Sequence, residues 1–295
     1  MSDQLIRIAA GDGWIHGYFI QHTQVVEMAR QVHQTSPVAT AALGRSMGAA
    51  LMMSQMMKNK SEKLTLRING GGPIGTILCV ANQNGSVKGL VDFPQAETIN
   101  KAPGKMDVGA AVGTQGELTV IRDMGLKKPY IGNSPLTTGE IAEDLTHYFL
   151  QSEQQPSSVG LSVLVDVDYR VMGAGGFIIQ VMPDIPESVL GDLERQLISL
   201  KPVSEILQKR NDAMYLLDAV LGPFHPRVTD EIIPVFQCDC SRERMEKALV
   251  SLGEKELREI IDEDGGAETT CHFCLKAYHF DGRQLETLLK EAKSR

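Results

Sequence analysis

A chain of 295 residues exceeds the size at which one apolar core suffices, so two or three domains are expected. Its formal charge of -8, with 37 acidic against 29 basic residues and no segregated basic patch, argues against a nucleic-acid partner. The amino terminus, Met1-Ser2-Asp3-Gln4-Leu5, lacks a basic start and a long apolar run, and no uninterrupted membrane-spanning stretch follows, so a cytoplasmic protein without a membrane partner is expected.

From the start to Pro183 the pattern mixes strands and helices. Strands are predicted at 15–20, 64–68, 74–80, 118–121, 161–167 and 177–181, where short β-branched or aromatic-rich runs are bounded by Gly, Asn or Asp. Helices are predicted at 23–34 and 37–58. Thr137-Thr138-Gly139-Glu140 has the form of a capping box that opens a third helix through Phe149. The fold class is therefore α+β, with a mixed α+β core domain over 1–183. The apolar stretch at 38–57 carries Arg45, Ser46, Ser54 and Gln55 and is expected as a helix buried within protein.

Pro183 and Pro186 then punctuate the chain. Leu190, Leu193, Leu197 and Leu200 recur on one helical face, followed by Ile206, Leu207, Met214, Leu217 and Leu221 before Gly222-Pro223. The expectation is a helical linker over 184–234 without strands, lying on another part of the protein.

The last segment, 235–295, holds four of the five cysteines, two helical stretches between them and a final helix from about Arg283. So small a domain usually needs a metal or disulfides to offset chain entropy. Cys238-Asp239-Cys240 sets two thiols one residue apart, and Cys271-His272-Phe273-Cys274 has the spacing of a zinc knuckle. Four soft ligands in two pairs suit one tetrahedral Zn2+ per chain in the reduced state, in a closed site that is structural and not hydrolytic. His272 and His279 are alternative ligands. Each cysteine also has a neighbour close enough to condense with after oxidation, so the same four residues are candidate redox-active groups. A strained C-x-C disulfide would be readily reduced, which suits a reversible switch.

Other motifs carry less. Gly44-Arg45-Ser46-Met47-Gly48 fits the G-x-S-x-G pattern of a serine nucleophile but lies in a predicted helix, without the strand-to-helix elbow that chemistry requires. Gly173-Ala174-Gly175-Gly176 lacks dinucleotide-binding spacing and is expected as a turn or bulge. Met47, Met52, Met53, Met56 and Met57 are expected in the core, and Cys79 as a buried thiol with no redox role. Asp262-Glu263-Asp264 is expected as a solvated helix end.

Cys-Asp-Cys-Ser-Arg-Glu-Arg at 238–244, Asp262-Glu263-Asp264-Gly265, and Cys271-His272-Phe273-Cys274 followed by Tyr278-His279-Phe280 resemble the redox-regulated 33-kilodalton heat-shock chaperonins, the HslO family. The segments at 132–135, 139–145 and 173–183 resemble that family's core, so the similarity spans essentially the whole chain. The resemblance implies a non-enzymatic, ATP-independent holdase, inactive when reduced and zinc-bound. Under oxidative stress it would pair Cys238 with Cys240 and Cys271 with Cys274, lose zinc and unfold its C-terminal region. Unfolded or partially folded client proteins would then be held by a homodimer. The competing readings are a zinc-ribbon adaptor for a folded partner or nucleic acid, and a thiol oxidoreductase.

Overall fold

A computed structural model describes residues 2–59, 61–102, 106–125 and 128–293. The chain divides into two compact units, Met1–Gln237 and Cys238–Arg295. The mixture of helices and sheets expected from the sequence is present in both.

The first unit opens with strands β1 (Gln4–Ala10) and β2 (Ile15–Gln21), helices α1 (Thr23–His33) and α2 (Pro37–Ser54), then β3 (Lys63–Asn69), β4 (Ile77–Asn82) and β5 (Ser86–Val91). It continues with α3 (Val108–Val112), β6 (Glu117–Asp123), β7 (Tyr130–Pro135), α4 (Ala142–Ser152), β8 (Ser157–Val165) and β9 (Val171–Val181). Helices α5 (Glu187–Ile198), α6 (Val203–Lys209) and α7 (Ala213–Leu221) precede strands β10 (Arg227–Ile232) and β11 (Val235–Phe236). One sheet has the order β10-β1-β2-β9-β8, and a six-stranded sheet runs β11-β5-β4-β3-β6-β7.

Strand alternation explains the layering. Leu5, Tyr18, Ile20 and Ile178 on one face of the five-stranded sheet join α1, α2 and the inner residues of the six-stranded sheet, among them Leu64, Leu66, Cys79 and Val120, in the main core. The alternate residues Ile6, Ile8, Phe19, Phe177 and Ile179 form a second core with Leu193, Ile206, Leu216 and Leu217 of α5–α7. The amphipathic helices after Pro186 thus have a sheet to lie on. Helix α2 is the centre of the main core: every one of its residues except Pro37 and Arg45 is buried. Pro37 at its first turn and the Ser36 hydroxyl, which accepts the Ala39 N–H at 3.3 Å, start it.

Four local expectations need correction. The segment 184–234 is not wholly helical, because β10 pairs antiparallel with β1, with Leu5 opposite Ile232. Its residues Arg-Val-Thr-Asp-Glu-Ile occupy an exposed sheet edge and lack the apolar alternation that marks a half-buried strand. Thr137-Thr138-Gly139-Glu140 is a loop, not a capping box. Helix α4 starts at Ala142, and the buried Asp144 accepts the N–H groups of Thr137, Thr138 and Ile141 at 2.7, 2.9 and 3.0 Å. Gly173-Ala174-Gly175-Gly176 lies inside β9 and not in a turn, although the expected bulge has a counterpart at the start of the strand, where the register with β8 shifts between the Leu164–Gly173 and Val165–Val171 pairs. A Cβ on Gly176 would stand 2.4 Å from the Gly160 carbonyl oxygen, so glycine serves close backbone approach there. Strands β1, β5 and β7 were not among the predicted strands.

The second unit comprises α8 (Arg242–Ser251), α9 (Glu254–Asp264), the hairpin β12 (Gly266–Thr270) and β13 (Ala277–Asp281), and α10 (Gly282–Lys293). Its small core gathers Leu249, Val250, Leu257, Tyr278, Phe280, Leu285, Leu288 and Leu289. Among the described residues no helix is long and apolar enough to cross a membrane.

Candidate metal and redox centre

The two cysteine pairs reach one point by different local devices. Cys238 and Cys240 lie in the irregular segment before α8. Ser241 caps that helix by accepting the Arg244 N–H at 3.3 Å, and the Arg244 guanidinium returns to the Asp239 carbonyl at 3.1 Å and its carboxylate at 3.0 Å. This fixes the turn between the two thiols. Cys271 and Cys274 form the tip of the β12–β13 hairpin. The Leu275 N–H donates to the Cys271 carbonyl at 2.8 Å, and the Cys271 N–H donates to the Lys276 carbonyl at 3.0 Å. Leu275 takes a left-handed φ of 56°, which tightens the knuckle. Arg242 joins α8 to the hairpin: its guanidinium lies 4.2 Å from the Phe280 ring centroid and donates to the His279 carbonyl at 3.0 Å and to Gln284 Oε1 at 2.8 Å.

All four sulfurs lie within 4.8 Å of one another. Cys238 Sγ is 3.7 Å from Cys271 Sγ, and Cys240 Sγ is 3.4 Å from Cys274 Sγ, so sulfur contacts cross between the two motifs. Cys271 is buried and the other three are half-buried. Four sulfurs converging from two segments form a set that can hold one metal ion.

The sulfurs are not electrostatically equivalent. Burial pushes the Cys238 thiol up to about 12, opposed by a hydrogen bond from the Cys240 backbone N–H. At Cys240 burial also acts upward, but the Tyr278 hydroxyl, 3.1 Å away, and the surrounding sulfurs outweigh it and bring the thiol down to about 7. Burial raises Cys274 as well, partly offset by the Lys276 backbone N–H.

Residues 3–281 match the Hsp33 protein family. The chain belongs to the Hsp33 family. Its relatives include the 33 kDa chaperonin of Alkaliphilus metalliredigens, 49% identical over 291 residues that cover 99% of this chain and 100% of that one. The 33 kDa chaperonin of Clostridioides difficile is 45% identical with 99% and 100% coverage. Among solved structures, the 33 kDa chaperonin (heat shock protein 33 homolog) of Thermotoga maritima superposes with a TM-score of 0.92 at 33% identity, over 100% of both chains. The resemblance noted in the cysteine and core motifs is therefore a family relationship.

In this Hsp33-family chain the other motifs fall where no site forms. Ser46 is buried in α2 and donates to the Ala42 carbonyl at 2.9 Å, which leaves no nucleophile elbow. Met47, Met52, Met53 and Met57 are buried, with Met56 packed beside them. Cys79 is fully buried in β4, and burial drives its thiol far above the ordinary range. Asp262, Glu263 and Asp264 form the exposed end of α9. His272 and His279 are not part of the sulfur cluster, and His279 Nδ1 instead meets Glu268 Oε2 at 2.9 Å. Sequence reasoning missed Tyr278 as a partner of Cys240. The signal available was the alternation of Tyr278 and Phe280 with exposed neighbours, which turns both rings inward.

Proposed function

We propose that the chain is a redox-regulated, ATP-independent holdase chaperone of the cytoplasm, and that Cys238, Cys240, Cys271 and Cys274 are both its zinc ligands and its redox-active groups. Family membership supports the chaperone function. The observation that carries the switch is the convergence of four thiols from two separated pairs to within 4.8 Å.

The residues fit Zn2+. A tetrahedron with arms of about 2.3 Å has edges of about 3.8 Å, close to the 3.7 and 3.4 Å sulfur separations, and an all-sulfur donor set favours a soft or borderline cation. One ion per chain, in the reduced state, would keep the four sulfurs deprotonated and tie the C-x-C segment to the hairpin. Structural zinc sites contribute on the order of 10 kcal/mol of apparent binding free energy, comparable to the whole stability of a small domain.

The chain's own residues carry out the rest. When a pair closes, its two thiolates give up two electrons to a peroxide, which takes up two protons and leaves as two waters. The family resemblance assigns the pairs as Cys238–Cys240 and Cys271–Cys274. Sulfurs joined in disulfides no longer hold a cation, and the small core around Leu257, Tyr278 and Phe280 is left to support the second unit unaided. In this reading unfolding of that region is the activating event, after which the 1–183 core binds unfolding clients, with a homodimer as the active form. No enzymatic step, nucleic acid or membrane is involved in this reading, and the formal charge of -8 fits it.

The test is light scattering of a chemically unfolded client diluted into buffer with the reduced, zinc-loaded chain or with the chain treated with peroxide at elevated temperature. Suppression confined to the oxidised chain, with one equivalent of zinc released, is the expected result. Equal suppression by both forms would defeat the proposal.

A further inference from the structure

Tyr278 stands on β13, opposite Thr269 of β12, with its ring buried among Leu249, Leu257 and Phe280. Its hydroxyl leaves that apolar setting at one point, 3.1 Å from Cys240 Sγ. The Lys276 ammonium lies 5.2 Å from the centroid of the same ring, and a cation over the π face draws electron density from the phenol and strengthens its O–H as a donor. A sulfur that already shares its lone pairs with a donor is a poorer nucleophile, and outer-shell donors of this kind tune the thiolates of metal sites.

We propose that Tyr278 is a positioning residue of the redox centre, whose hydroxyl holds one Cys240 lone pair and thereby slows closure of the Cys238–Cys240 pair in the folded, reduced chain. The inference rests on the switch reading above. Closure takes two steps. One thiolate attacks peroxide, breaking the O–O bond to give a sulfenic acid and hydroxide. The second thiolate then attacks that sulfur, forming the S–S bond and expelling a second hydroxide, and both hydroxides take protons from solvent. Cys240 is the nucleophile in one of these steps whichever sulfur meets the oxidant first, so a donor on Cys240 slows closure through the step in which Cys240 attacks when that step limits the rate. The Cys271–Cys274 pair lacks this dependence and serves as an internal reference.

Tyr278→Phe keeps the ring in the small core and removes the donor. The full-length, zinc-loaded variant and the parent chain are treated with hydrogen peroxide and stopped at low conversion, where each molecule has closed at most one pair. The two pairs are then counted by differential alkylation and peptide mass spectrometry, with zinc content and circular dichroism recorded. The expected result is closure of Cys238–Cys240 about three- to tenfold faster relative to Cys271–Cys274, the change that loss of one hydrogen bond of ordinary strength corresponds to. An unchanged ratio overturns the role of Tyr278 and leaves the switch reading intact, as does equal acceleration of both pairs, which is the mark of a merely loosened module. Absence of any Cys238–Cys240 disulfide in the fully oxidised parent would defeat the switch reading itself. Should Tyr278→Phe fail to fold, biosynthetic 3-fluorotyrosine supplies a stronger donor with the same packing. It should slow Cys238–Cys240 closure relative to the reference pair, and no slowing there counts against the proposal.

Discussion

Glu27 on α1 accepts the backbone N–H of Val171, the first residue of β9, at 3.0 Å through Oε2. The same carboxylate meets Arg30 at 2.6 Å and Gln31 at 2.8 Å. The Arg30 guanidinium is the main reason that the Glu27 carboxyl is held down at about 2; burial opposes it, and the Val171 N–H adds to it. A carboxyl depressed in the folded state stabilises fully above its unfolded value of about 4.3, and that contribution is lost as pH falls from there through about 2. Urea unfolding at pH 5 and pH 3 should show a loss on the order of 1 kcal/mol from this site, screening by solvent included. Glu27→Gln should be less stable at pH 5 and show a correspondingly shallower acid slope; an identical slope would contradict the assignment.

His22 is fully buried, with Nε2 2.9 Å from the Gly44 carbonyl, and it packs on the glycine face of α2. A methyl group on Gly48 would stand 2.7 Å from the imidazole ring. Gly48→Ala should therefore cost about 1–3 kcal/mol by overpacking, read as a lower urea midpoint with an unchanged slope. Burial also lowers the His22 pKa, against the Gly44 hydrogen bond and the Asp3 charge. The folded state thus prefers the neutral ring, and stability is expected to decline as pH drops below about 6.5. His22→Gln should flatten that part of the profile.

Asp144 is wholly buried, and its carboxylate serves three backbone N–H groups and the Thr137 hydroxyl, the last at 3.1 Å. Asp144→Ala should destabilise the first unit by roughly 2–3 kcal/mol, since the donors are left without their acceptor. Asp144→Asn, which exchanges one acceptor oxygen for a donor, should fall between. Amide exchange at Thr137, Thr138 and Ile141 would report the change residue by residue, and unaltered protection would refute it.

Cys271 is the most buried of the four clustered thiols. Cys271→Ser leaves three thiolates, so zinc per chain should drop well below one and circular dichroism should lose the contribution of α8–α10 even under reducing conditions. A strong chelator applied to the parent chain should produce the same spectrum. A variant that retains stoichiometric zinc would remove the basis for assigning Cys271 as a ligand.

The sequence made the buried elements and the cysteine motifs legible, and the reason is local. Strand β3 alternates cleanly between buried and half-buried positions, and α2 is bounded by a Ser-Pro start, so both announce themselves without neighbours. The cysteine motifs are short enough for spacing alone to mark the four residues that the fold brings together. What stayed hidden depends on distant partners. The β10 edge owes its pairing to β1, more than two hundred positions earlier in the chain. Helix α4 is capped by Asp144 reaching back to the Ile141 N–H, and Ile141 has no hydroxyl, so the Ser/Thr-x-x-Glu pattern passes over the true start. The Tyr278–Cys240 contact joins residues 38 positions apart, and no periodicity encodes that approach.

Helix α2 has almost no face left for solvent. A segment like that cannot be satisfied piecemeal, because the strands that surround it come from both sides of it in the sequence and from both large sheets. During synthesis its alanines and methionines must wait for β8 and β9, made more than a hundred residues later, before their last neighbours arrive. Until then the nascent chain carries a greasy rod of its own, and its maturation should be all-or-none and sensitive to anything that delays the second half of the unit.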